Sequence, residues 1–169
     1  ENFQKKAYLP KGYFFGCYRF FRPIPNIENY KVILLLRDPR DVLVSYYYSM
    51  KYNNTIHQLK GLELRKRLQH TSIDDYVLEI SPRFKTVFEN YITALYGKDY
   101  VYFSKFEDLL SDSAKWLTEA SKHCGLSCSE ELLERIGSGI TSNLKKEKKH
   151  QHHRKAKPGE FKEKLNEEI

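Results

Sequence analysis

No stretch of this chain stays apolar long enough to cross a bilayer. The longest uninterrupted aliphatic run is Val32 to Leu36, far short of the roughly 18 to 20 apolar residues a spanning helix needs. A soluble protein without a membrane segment is expected. Cysteine is scarce: Cys17, Cys124 and Cys128 make an odd count, and the last two are spaced C-x3-C. Neither a disulfide framework nor a zinc knuckle is signalled, so a reducing, cytoplasmic setting is expected. No secretory signal opens the chain, which starts at Glu1, and no internal repeat is visible. Acidic residues are thin where basic ones are dense. Lys and Arg total 29 against 22 Asp and Glu, and between Lys145 and Lys157 seven basic residues face the single acid Glu147. A cluster so local points to an anionic ligand or surface, with nucleic acid, phosphate, sulfate and anionic lipid all admissible. The 169 residues, 40% of them apolar, suffice for one core of ordinary size.

The aliphatic run reads as a strand. Tyr30 to Arg37 is bounded by Pro23 and Pro25 upstream and by Asp38-Pro39 downstream, and its unbroken apolar character predicts a fully buried strand of the parallel type. Asp38 can then cap a helix with Pro39 at its first position, and Val42, Leu43, Tyr46 and Tyr47 recur at helical spacing. A second unit of the same kind runs through Asp99 to Phe106, then Glu107-Asp108, then Trp116, Leu117, Ala120, His123 and Cys124, closed by Gly125. Two strand-turn-helix units predict an α/β fold, a parallel sheet with flanking helices. Between them, Ser72 to Asp75 marks a helix start, and the stripe Phe84, Val87, Phe88, Tyr91, Ile92, Leu95 supplies covering helices. Glu130 to Ile136 reads as a further short helix, and from Asn143 to Phe161 a charged surface loop is expected.

The chemistry concentrates at Arg37-Asp38-Pro39-Arg40-Asp41-Val42-Leu43-Val44-Ser45. Ligands of open parallel sheets bind outside the strand carboxyl ends. There a helix N-terminus offers free N–H groups, Arg37 a planar fork for phosphate oxygens, and Ser45 a further hydrogen bond. The plainer alternative makes Arg37 and Asp38 a structural ion pair and Ser45 an ordinary helix residue. His150 to His153 lacks a matching second ligand set, so a solvated basic loop is preferred over a metal site, and no metal is expected. His57, His70 and His123 are isolated and are assigned to surface or packing roles. The run Tyr46-Tyr47-Tyr48 is expected to give one or two rings to the core.

The segment KVILLLRDPRDVLVSYYYS resembles the 3′-phosphate-binding strand and helix of sulfotransferases that use 3′-phosphoadenosine 5′-phosphosulfate (PAPS). Tyr102 to Leu110 is similar to that family's aromatic-Glu-Asp segment, and His153 to Lys162 to its Arg-Lys-Gly…Gly-Asp-Trp-Lys signature. The resemblance implies a fold of the P-loop nucleotide-binding type, with PAPS as co-substrate and transfer of a sulfuryl group to a hydroxyl or amine. The acceptor would be a small molecule, a lipid or a carbohydrate, with no nucleic-acid partner. It assigns Arg37, Ser45, Arg154 and Lys155 to the 3′-phosphate and Phe106 to packing near the nucleotide. Ala156 stands where the family has glycine, and Phe161 where it has tryptophan. The family's opening strand and Tyr-Pro-Lys-Ser-Gly-Thr-Thr loop have no counterpart, since Tyr8 to Gly12 lacks the hydroxyl residues. Residues 1–169 are therefore expected to be part of one such domain, without its phosphosulfate loop. No histidine precedes Arg37, so no catalytic base is assigned, and Lys164 to Asn166 does not continue a family dimer motif. Two other readings stand beside this one. They are a non-catalytic module that binds polyanions or nucleic acid, and a degenerate relative that only binds nucleotide.

Overall fold

A computed structural model describes residues 14–16, 18, 21–53, 59–145 and 157–167. After a 3-10 turn at Ile27–Asn29, strand β1 covers Val32–Leu36 and helix α1 covers Pro39–Tyr48, passing into a wide π turn at Ser49–Asn53. Helices α2 (Leu59–Leu68) and α3 (Ile73–Leu95) lead to strand β2 (Val101–Lys105). Then come α4 (Phe106–Ser111), α5 (Ser113–His123), α6 (Glu130–Lys145) and the single turn α7 (Phe161–Lys164). β1 and β2 pair in parallel, in register from Val32 opposite Val101 to Leu36 opposite Lys105. The architecture is α/β, mostly helical among the described residues.

Local chemistry explains the boundaries. Asp38 caps α1 by accepting from the Arg40 amide at 2.9 Å, and Pro39, which lacks an N–H, occupies the first helical position where none is needed. Ser72 caps α3 by accepting from the Asp75 amide, and Asp112 caps α5 through the Lys115 amide. Gly125, at φ 69°, takes the left-handed conformation that stops α5.

Three expectations need correction, and one helix is new. The strands are not fully buried: only Leu34 in β1 and Ser104 in β2 are closed to solvent, because the described sheet has two strands and each is flanked on one edge alone. The segment Ile73–Leu95, capped by Ser72, is one 23-residue helix that continues through Pro82. Proline removes the amide that would bond the Leu78 carbonyl, and the Ser81 hydroxyl donates to that carbonyl instead, at 3.2 Å. Helix α6 extends to Lys145, past the expected start of the charged loop, and α2 was not anticipated.

The core beside α1 is aromatic. Tyr47, Leu68 and Tyr76 form its buried centre, with Tyr46 and Tyr48 packed against it. The Tyr46 ring lies parallel to Tyr76 and edge-on to Phe84, Tyr48 meets Tyr47 edge-on, and the Tyr47 hydroxyl donates to the Thr71 carbonyl at 2.9 Å. All three tyrosines of the run thus serve packing, and Tyr47 satisfies its buried polar tip. Across the sheet, the Trp116 indole N–H donates to the Ser104 hydroxyl at 2.8 Å, and His123 Nε2 lies 3.1 Å from the Tyr100 carbonyl, tying α5 to β2.

Candidate functional site

Parallel pairing in register builds the site. Since Leu36 stands opposite Lys105, the next residues, Arg37 and Phe106, leave the sheet in step at its carboxyl end. The Arg37 guanidinium lies 5.5 Å from the centre of the Phe106 ring, close enough for a cation–π contact. Next to it, the Asp38 amide donates to Glu107 Oε1 at 3.2 Å, so the Phe-Glu-Asp segment and the Arg-Asp-Pro turn are joined by a hydrogen bond as well as by packing.

The chain returns to this corner after α6. Arg37 Nη2 donates to the Lys157 carbonyl at 3.1 Å and lies 3.6 Å from Asp41 Oδ2. Asp41 is 1% exposed and uses both oxygens: Oδ2 accepts from the Gly159 amide at 2.7 Å and Oδ1 from the Phe161 amide at 3.0 Å. Gly159 has φ 75°, a conformation that a β-carbon disfavours, which turns the chain so that both amides face one carboxylate. The Phe161 ring lies under the Arg40 guanidinium at 3.8 Å. Arg40 is in turn gripped by Asp38, Nε to Oδ1 at 3.0 Å and Nη2 to Oδ2 at 2.7 Å. Those bonds hold the Asp38 carboxyl below its ordinary pKa, against the opposing effect of partial burial.

The acidic partners therefore differ from the plain alternative drawn from sequence: Asp38 pairs with Arg40, and Arg37 pairs with Asp41 one helical turn on. Arg37 keeps one buried donor, its Nε, unpartnered among the described residues. That state is costly unless a ligand completes it. Ser45 is half-buried on α1, and its hydroxyl makes no bond among the described residues. Arg154, Lys155 and Ala156 lie outside the described residues, as do His57 and His150 to His153. Among the described residues no group of three or more His, Cys, Asp or Glu is placed to hold a metal, and no helix is long and apolar enough to cross a membrane.

Two contributors carried no role in the sequence reading, Asp41 and Glu107. The signal for Asp41 was present: it falls on the same helical face as Val44 and Tyr47, so an acid sits on an otherwise apolar stripe. An open apolar groove of about 330 Å³ also runs between α1 and α3, lined by Leu43, Val77, Phe84, Phe88 and Leu165. Arg37 is not among its lining residues, but Arg40 is, so the groove adjoins the corner at Arg40.

No curated protein and no solved structure matches the chain. The family model of the sulfotransferase domain, however, matches residues 23–168, a span that holds the Arg37 turn, the Phe106 segment and the docked stretch at Gly159 together. The chain belongs to the sulfotransferase domain family.

Proposed function

We propose that this chain binds PAPS and takes part in moving its sulfuryl group to a hydroxyl or amine on a small-molecule, lipid or carbohydrate acceptor. Family membership supports an α/β fold of the P-loop nucleotide-binding type and sulfuryl transfer in general. The observation that carries the donor assignment is Arg37, a guanidinium at the carboxyl end of a parallel strand with an unpartnered buried Nε. In this reading Arg37 and Ser45, with Arg154 and Lys155 from the basic segment, hold the 3′-phosphate, and Phe106 packs beside the nucleotide and under Arg37. Lys157, two residues beyond Lys155, is bonded to Arg37. That contact supports a basic segment anchored where the anion binds.

During transfer the acceptor oxygen or nitrogen attacks sulfur and loses its proton, while the bond from sulfur to the 5′-phosphate oxygen breaks and the 3′,5′-bisphosphate leaves. The 3′-phosphate is remote from that bond. Arg37 therefore acts by anchoring, converting binding energy into correct placement of the reacting end. Charge stabilisation comes from arginine, lysine and backbone donors, without a metal.

Calorimetric titration of the chain with 3′-phosphoadenosine 5′-phosphate against ADP tests this, because the two nucleotides carry the same number of phosphates in different places. Preference for the 3′-phosphate is expected. Arg37→Ala should remove about 1.5 to 3 kcal/mol of binding, roughly a factor of 10 to 150. A folded Arg37→Ala protein with unchanged preference would refute the assignment. A steep salt dependence with no preference would instead favour polyanion binding by the segment Lys145 to Lys157.

A further inference from the structure

We propose that Asp41 is the positioning residue of this site, holding the segment 157–161 against the β1–α1 turn and setting the Arg37 guanidinium for the anion. The inference rests on the 3′-phosphate reading of Arg37 and deepens it by naming what orients the arginine.

A carboxylate at 1% exposure is disfavoured unless charge and hydrogen bonds compensate it fully. Asp41 meets that condition only through partners from two distant parts of the chain. Two are backbone amides, Gly159 and Phe161, and the third is Arg37. Backbone N–H groups donating to an ionised acid form the stronger class of hydrogen bond, and here both come from one left-handed turn at Gly159.

The consequence for Arg37 is geometric. Its Nη2 is held by Asp41 Oδ2 from α1 and by the Lys157 carbonyl, and the second of those groups depends on the segment being docked. With Nη2 engaged by protein, Nε has no partner among the described residues and is the donor left for an oxyanion. The same docking brings the chain that follows Arg154 and Lys155 to the corner where Arg37 stands. The Arg40–Phe161 stack adds a second hold on the same segment. Asp41 thus links Arg37 to the returning segment 157–161.

Asp41→Asn tests the link, since it keeps the side-chain shape but removes the charge and replaces one acceptor with a donor. A second variant, Gly159→Ala, strains the left-handed turn while leaving α1 and Asp41 intact. For each, the readout is the affinity ratio of 3′-phosphoadenosine 5′-phosphate to ADP, beside thermal melting. Loss of folding alone does not move this ratio in the fraction that remains folded. The wild-type chain should prefer the bisphosphate, and both variants should lose at least tenfold of that preference with ADP affinity unchanged. Should Asp41→Asn fail to fold, Gly159→Ala decides. A folded variant of either kind that keeps the full preference overturns the positioning role and leaves the Arg37 assignment standing. A wild-type chain with no preference overturns the 3′-phosphate reading itself, and this proposal with it.

Discussion

Gly137 and Gly139 sit two residues apart on α6, and the same substitution should act on them with different outcomes. At Gly137, which is buried, an added β-carbon would lie 2.9 Å from the Ala114 amide nitrogen, 3.1 Å from the Ala114 α-carbon and 3.2 Å from the Ser113 carbonyl carbon. All three are backbone atoms at the start of α5, which cannot swing aside as a side chain would. At Gly139, which is exposed, the same carbon meets nothing within 4 Å. Replacing glycine by alanine inside a helix returns about 1 kcal/mol through propensity at either site. Overpacking of about 1 to 3 kcal/mol applies at Gly137 alone. Gly139→Ala should therefore stabilise by about 1 kcal/mol, raising Tm by roughly 2 to 4 °C for a chain of this size. Gly137→Ala should fall about 1 to 3 kcal/mol below it, since the propensity gain cancels in the comparison. Urea titration followed by Trp116 fluorescence and far-ultraviolet circular dichroism gives both midpoints, with equal slopes confirming that the unfolded states match. A Gly137→Ala protein as stable as Gly139→Ala would refute the close crossing of α5 and α6.

Pro82→Ala restores the amide that could bond the Leu78 carbonyl, at an exposed site, and should stabilise α3 by about 1 to 2 kcal/mol after allowing for the more flexible unfolded chain. A lower Tm in the variant would mean that the core packs against a proline-dependent bend. At alkaline pH, Tyr76 and Tyr102 matter: burial first, with Tyr46 beside one and Glu119 bonded to the other, pushes both phenols up to about 12. Their neutral forms are favoured in the folded state, so the stability they contribute is intact below pH 10 and is lost as pH rises from there to about 12. Tm measured across that window should decline, and Tyr102→Phe should decline less steeply. An identical slope in the variant would count against the Tyr102 shift.

The β1–α1 turn was legible because its signals are local. An aliphatic run, an aspartate able to cap and a proline at the first helical position each act within a few residues, and Ser72 marks the start of α3 in the same way. The strand burial was misjudged because an apolar run shows what a strand can tolerate and says nothing of how many neighbours it has. The continuity of α3 through Pro82 was hidden by a rule that holds on average and fails where a neighbouring hydroxyl takes over the freed carbonyl. Helix α2 escaped notice because Arg65, Lys66 and Arg67 sit beside the few apolar positions, yet Leu68 is completely enclosed. At the Arg37 corner, the motif showed the arginine and not the carboxylate paired with it. Sequence places Asp41 near Arg37, but only the returning chain reveals why an acid is buried there.

The docked segment also bears on the order in which the molecule assembles. The bond from Asp38 to Glu107 beside the strand pair spans 69 residues, and the bond from Gly159 to Asp41 spans 118. By chain statistics the longer closure costs only about 0.5 kcal/mol more. The larger obstacle is order. The carboxylate that receives Gly159 and Phe161 has its place only after α1 has formed, so the long closure gains little until that helix is made. The Arg37 corner is therefore a long-range joint across the α/β unit, and its integrity reports on contacts made between residues 37–41 and 157–161, far apart in sequence.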